Sequence, residues 1–226
     1  MLRPQLSQGR QASRKGLLAV SGGVFVMPLT RFLAAGKLDD DFAFDDFACS
    51  LNDEVELFLK RKAAQSERLG ASRTYLVFRE DLLLGYFTLL LKAFTIDDQQ
   101  LSSANRRLIQ RFSRFDKNSG KYSAAVYLIA QIGKNTNVDK DCAIRGSDLL
   151  ELAYEKLRVA QKAVGGKFVL IEREGNREKL LQFYKANGFK SWNSRYDEND
   201  RITYDQMIRV LDPISDSSNG GNDIGS

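Results

Sequence analysis

A phenylalanine and a tyrosine stand side by side in KLLQFYKANGF, residues 179–189, a charged, helix-like stretch that stops at Asn187-Gly188. The chain contains no histidine. A phenol, with an unperturbed pKa of about 10, stays protonated at neutral pH and can donate that proton to a leaving group. Tyr184 is therefore the candidate general acid, and its alternative role is to pack and hydrogen-bond. Without histidine, histidine bases, catalytic triads and mixed Cys/His metal sites are all excluded, and no metal site is expected. Carboxylates, lysine, backbone amides and water remain as reagents. Glu172, closing the apolar run FVLIE, could approach an acceptor or sit solvated or paired, and no base is assigned.

The second stretch with chemical content is QIGKNTNVDKDCAIRGSDLLELA, residues 131–153. It runs from an apolar strand through a polar loop into a helix that starts at Gly146 and Ser147. A helix start exposes unpaired amides and a partial positive charge, which suits a phosphate or pyrophosphate. Glycine there lets backbone approach a ligand closely. The loop matches neither GxxxxGK[ST] nor GxGxxG, so those nucleotide-binding classes are disfavoured.

Several elements must position these residues. NDEVELFLKRKAAQSERLG places Val55, Phe58, Leu59 and Ala63 at helical spacing, with Gly70 as the stop. RTYLVFRE and LLLGYFTLLLK read as a hairpin turning at Glu80-Asp81. SSANRRLIQRFSRF predicts a helix over 103–115 carrying Arg106, Arg107, Arg111 and Arg114, which form either a polyanion-binding face or an ordinary solvated one. KYSAAVYLIAQIG is a buried strand. SDLLELAYEKLRVAQKAV is amphipathic, repeating Leu149, Leu150, Leu152, Ala153 and Leu157, and ends at Gly165-Gly166. KFVLIE is a further buried strand. Asn176 can cap the helix bearing Tyr184, Gly188 can take its left-handed terminal position, and Phe183 and Phe189 belong to the core. RITYDQMIRVL is the final strand. Helices, a hairpin, then strand–helix–strand–helix–strand make a mixed α/β domain with a right-handed crossover through 147–164.

The chain has 226 residues, 43% of them hydrophobic, enough for one domain plus tails. No apolar run is long enough to cross a membrane, and the spacing of Cys49 and Cys142 suggests a reducing compartment, the cytoplasm. Of 34 basic residues, six lie within residues 1–38, which hold no acid, leaving 28 against 29 acids. The basic character therefore belongs to that extension, which reads as a targeting peptide, a disordered tail, or sequence upstream of a start at Met27. The domain is expected over 39–211, with a disordered tail at 212–226.

Taken together, the strand ending IAQIG, the turn IRGS into LLELA, FVLIE, and NREKLLQFYKANGF resemble the GCN5-related N-acetyltransferase (GNAT) family in order and spacing. The likeness spans about residues 44–211 and is best defined over 127–189. It implies a mixed, mostly antiparallel sheet, splayed at its fourth strand and flanked by helices. It also implies acetyl-CoA as cosubstrate, direct attack by a primary amine, and Tyr184 near the sulfur. Cofactor contacts would come from Ile132, Gly133 and Lys134 on the strand, from Ile144, Arg145, Gly146 and Ser147 at the loop, and from Asn176. The family's R/Q-x-x-G-x-G/A pattern falls on Asp141–Gly146, where Asp141 and Ile144 depart from it; Lys140 and Arg145 could offset the acid. FACSLNDEVELFLKRKAAQSERLGASRTYLVF, with Cys49, Leu59, Ala63 and Ser72–Tyr75, further resembles the branch of bacterial toxins that acetylate aminoacyl-tRNA. That branch implies tRNA and an antitoxin as partners. A non-catalytic acyl-CoA-binding module is the rival of another class, a homodimer stays open, and the acceptor would meet residues 48–72, 93–120 and 192–203.

Overall fold

The computed structural model describes residues 18–20, 23–34, 44–199 and 201–212. Its core element is a nine-stranded sheet made from β1 (Leu18–Val20), β2 (Val24–Pro28), β3 (Arg73–Arg79), β4 (Leu82–Asp97), β5 (Arg114–Asp116), β6 (Lys121–Lys134), β7 (Phe168–Glu174), β8 (Lys190–Asp197) and β9 (Ile202–Val210). The strand order is β1-β2-β3-β4-β6-β7-β9-β8, with β5 beside β6. Among the described residues only β6 and β7 run parallel; every other pairing is antiparallel. Parallel neighbours need a crossover, and helix α5 (Gly146–Val164) provides it. The expected mixed, mostly antiparallel architecture is the one found.

Local chemistry explains the long elements. Glu80 turns the β3–β4 hairpin with a left-handed φ of 52°. α5 buries the expected stripe of Leu149, Leu150, Leu152, Ala153 and Leu157. At about 1.5–3 kcal/mol for each fully buried leucine, that stripe fixes the helix on the sheet. Beyond its end Gly166 takes φ 107°, and a Cβ there would lie 2.6 Å from the Tyr127 ring. On the same face lies α6 (Glu178–Ala186). The opposite face carries two separate apolar clusters. One joins α4 (Ser103–Ile109) to Phe94, Ile96, Leu128 and Leu170; the other joins α1 (Leu29–Ala34), α2 (Asp53–Leu57) and α3 (Ala63–Arg68) to Leu76, Phe78 and Tyr86. α2 and α3 are continuous through a π-helical turn, Phe58–Lys62, so the helix expected from Val55, Leu59 and Ala63 forms and buries those residues.

Three sequence expectations change. The helix over 103–115 stops at Ile109, whose carbonyl is taken by Phe112 N and Ser113 Oγ, and Arg114 belongs to β5. The basic extension is not wholly outside the fold. β2 pairs with β3 from Val24↔Arg79 to Pro28↔Tyr75, Val24 and Val26 are buried, and Leu29 is fully buried. The alternation at the start of VFVMP, with Val24 and Val26 buried, is what a strand with one buried face needs. β8 occupies a stretch assigned above to acceptor contacts, and it is the last strand of the sheet. Residues 1–17, 35–43 and the tail from 213 lie outside the described residues. Among the described residues no helix is long and apolar enough to cross a membrane, and no cluster of Cys, Asp or Glu could hold a metal ion.

Candidate active site

β6 and β7 pair only at Tyr127↔Val169 and Leu128↔Leu170. Beyond that point β6 stays with β4 as far as Gly85↔Lys134, while β7 follows β9 to Glu174↔Tyr204. The sheet therefore parts along its middle. The register shift between Thr88 and Leu89, opposite Gln131 and Ile129, leaves Ala130 as an extra residue where the strands separate. Ile132, Gly133 and Lys134 form the β6 edge of this opening. Main-chain groups there have no partner on β7, which is the arrangement needed to bind an extended polar chain or polarise a carbonyl. Gly133 also has a steric reason: a Cβ would lie 2.4 Å from Val55 Cγ1, so α2 rests on bare backbone.

The start of α5 lies on the same side as α6. Arg145 is its N-cap residue, and no side chain caps the first amides. Gly146 sits under Phe183, whose Cζ would be 3.2 Å from a Cβ, and this brings the helix start against the residue beside Tyr184. The loop is anchored where Arg79 Nη1 donates to the Cys142 carbonyl at 3.0 Å. The Arg145 guanidinium is paired with Asp148 at 2.9 and 3.0 Å. The Ile144 side chain is buried in the core and leaves only backbone for a ligand. Ser147 is exposed, with Oγ 3.4 Å from Asp148 Oδ1, and Lys140 and Asp141 are exposed.

Tyr184 is only 4% exposed, ringed by Phe183 and Phe189 at 5.3 and 5.6 Å. Burial pushes its phenol above the ordinary value, while the Arg173 charge acts in the opposite sense. The protonated form thus dominates at neutral pH. Gly188 closes α6 with φ 82°, as expected, and Asn187 Nδ2 donates to Phe183 O at 2.8 Å. Asn176 does not cap the helix. It lies exposed, one residue before the N-cap Arg177, and that residue makes no side-chain cap either. Arg173 holds the turn instead: Nη1 donates to the carbonyls of Glu174, Gly175 and Arg177 at 2.9, 3.2 and 3.2 Å. Sequence reasoning passed over Arg173. Its only signal is a base at a core-facing position of β7, in step with Val169 and Ile171.

Glu172 faces the other way and is tied up. Arg195 Nε lies 3.1 Å, Gln206 Nε2 2.8 Å and Lys92 Nζ 3.4 Å from its carboxylate. Burial alone would raise its pKa, but these donors outweigh burial and hold it below the ordinary carboxylate value. The four arginines do not share one helix face. Arg106 and Arg107 lie on α4, Arg111 follows it, Arg114 is on β5, and Arg106 is engaged by Asp98. An open pocket of about 480 Å³ lies between α6 and the β8–β9 pair, lined by Arg173, Leu181 and Asp205 among others, and Tyr184 is not in its wall.

No protein-family model and no curated protein matches the sequence. Solved structures do match its fold. The AtaT protein complexed with acetyl-methionyl-tRNAfMet superposes with a TM-score of 0.55 at 20% identity, over 80% of this chain and 93% of that one. A tyrosine-to-phenylalanine mutant of the AtaT toxin, bound to the C-terminus of the antitoxin AtaR and acetyl-CoA, gives 0.50 at 19% identity, over 83% and 93%. A tyrosine-to-phenylalanine mutant of KacT gives 0.52 at 20% identity, over 80% and 94%. With the order of its strands, the parting of β6 from β7 and the crossover through α5, the chain has the GNAT fold in the form these proteins share.

Proposed function

We propose that the chain is an acetyl-CoA-dependent N-acetyltransferase. The observation that carries this reading is the opening between β6 and β7, with an uncapped 19-residue helix starting beside it and the Tyr184 helix set against that start. Unpaired β6 amides near Ile132–Lys134 suit the pantetheine arm and the thioester oxygen. The free amides of Gly146 and Ser147 suit the pyrophosphate, and acetyl-CoA is present in one of the similar structures. The backbone, rather than Arg145 or Ile144, then makes the loop's contacts.

A neutral primary amine attacks the thioester carbonyl carbon and its N–C bond forms. The tetrahedral intermediate collapses with loss of the C–S bond, the Tyr184 hydroxyl gives its proton to the departing sulfur, and the new amide nitrogen loses a proton to water. The phenolate regains a proton from solvent. Glu172 is not the base in this scheme, because Arg195, Gln206 and Lys92 already hold it. Free-thiol release from acetyl-CoA with a panel of amines tests the reading. Tyr184→Phe should lower kcat by about 100-fold or more, the scale of a lost general acid. Acetyl-CoA that raises the unfolding temperature with no thiol release would instead mark a binding module.

The acceptor class we infer is the amino group of an aminoacyl-tRNA, supported by the complex of AtaT with acetyl-methionyl-tRNAfMet. Exposed Arg107, Arg111 and Arg114 offer phosphate contacts. If they serve that role, tRNA affinity should fall steeply as salt rises. A toxin of this kind would arrest growth on induction, and a small antitoxin would relieve it, as the AtaR complex suggests.

A further inference from the structure

We propose that Arg173 is the positioning residue of this site: its guanidinium clasps the turn from β7 into α6 and so sets where that helix presents Tyr184. The inference rests on the acetyltransferase reading above. Arg173 is almost fully buried, and one nitrogen, Nη1, reaches three carbonyls of the turn, those of Glu174, Gly175 and Arg177. The Arg177 carbonyl also accepts from Leu180 N and Leu181 N at 3.1 and 3.2 Å. The first turn of α6 thus hangs on the same oxygen that Arg173 grips. Nη2 is held by Asp205 on β9, and the turn is pressed on β9 where Gly175 N donates to Thr203 O at 2.8 Å.

α6 has no side-chain cap, and its N-cap residue Arg177 is tied by its own guanidinium to Glu174 Oε2 at 2.8 Å and to the Leu51 carbonyl. Among the described residues Arg173 alone reaches the carbonyls of the turn from the core side. Tyr184 lies seven residues beyond Arg177, about 10 Å along the axis at 1.5 Å per residue. A small tilt at the turn therefore becomes a displacement at the hydroxyl, and misplacement by about 1 Å can cost about 100-fold in rate. A fork of fixed donors suits this task; a lysine ammonium is a point charge and cannot reproduce it. The same cation favours the phenolate that Tyr184 must briefly become, against the effect of burial. The cost of burying this cation is offset by Asp205 and the three carbonyls.

The test is a double-mutant cycle on the full chain, with thiol release from acetyl-CoA as readout and total aminoacylated tRNA plus the amine panel as acceptors. Arg173→Lys should lower kcat about tenfold while the KM for acetyl-CoA moves less than about twofold. In the Tyr184→Phe background the same change should move kcat less than about twofold, because Arg173 acts through that hydroxyl. A merely structural arginine would lower the unfolding temperature and leave kcat per folded molecule unchanged. Unchanged kcat in Arg173→Lys, or a full tenfold loss persisting in the Tyr184→Phe background, overturns the proposal. A Tyr184→Phe enzyme with the parent's kcat instead removes the acid role and the inference with it, and a parent without thiol release removes both at the outset. Should Arg173→Lys not fold, Asp205→Asn decides. It replaces the charged Nη2 partner with a neutral amide but leaves the three carbonyl bonds, so kcat should stay within about twofold, and a tenfold loss would assign the effect to the ion pair instead.

Discussion

A methyl group on Gly133 would lie 2.4 Å from Val55 Cγ1, in the apolar cluster that seats α2 against β6. Gly133→Ala should therefore destabilise the protein by about 1–3 kcal/mol, the cost of overpacking, as read by urea unfolding. Unchanged stability would mean that α2 does not rest on that strand. Glu172 allows a second test of local geometry. Its folded-state pKa lies below the ordinary carboxylate value, so its stabilising contribution is fully present above about pH 4.3, the unfolded value, and is lost as pH falls through the folded one. The stability gap between the parent and Glu172→Gln should be open at neutral pH and close in acid; a gap that widened in acid would contradict the pairing with Arg195 and Gln206. Tyr184, Gly146 and Gly188 could be found in the sequence because aromatic pairs and turn glycines carry local signals. Arg173 could not, since what makes it informative is three carbonyls that only the folded turn brings together.

Among the elements, α5, β6, β7, α6 and β9 follow from patterns contained within each segment: a leucine stripe, continuous apolar runs, a terminal glycine. Those that escaped sequence reading depend on their neighbours. β8 is polar along most of its length because it is an edge strand paired on one side only. The 103–115 segment loses its helix after Ile109 because Arg114–Asp116 pair with Lys121–Ser123 of β6. β2 was hidden in a basic, glycine-containing stretch, yet it supplies Val24 and Val26 to the core under α5. Val24–Pro28 thus belong to the sheet. A chain started at Met27 should lose about 3 kcal/mol or more, judged from two buried valines at about 1.5–3 kcal/mol each, and its thermal midpoint should drop. An unshifted midpoint would show that β2 adds nothing to the sheet.

At the scale of the whole molecule, the parting of one parallel strand pair organises everything else. α5 and α6 cover one face, two separate apolar clusters divide the other, and the opening runs between them. The fold class was legible because the order of elements admits few topologies once a crossover is required. The details of the loop were not, because residues 141–146 depart from the family's pattern and their contacts depend on which groups face inward. The central claim is that a thioester cofactor enters this opening with its sulfur beside the Tyr184 hydroxyl. A structure of the protein with coenzyme A tests it most directly. The account predicts the sulfur about 3–3.5 Å from that hydroxyl, with the pyrophosphate on the amides of Gly146 and Ser147. A sulfur lodged away from Tyr184, or a cofactor bound outside the β6–β7 opening, would contradict it.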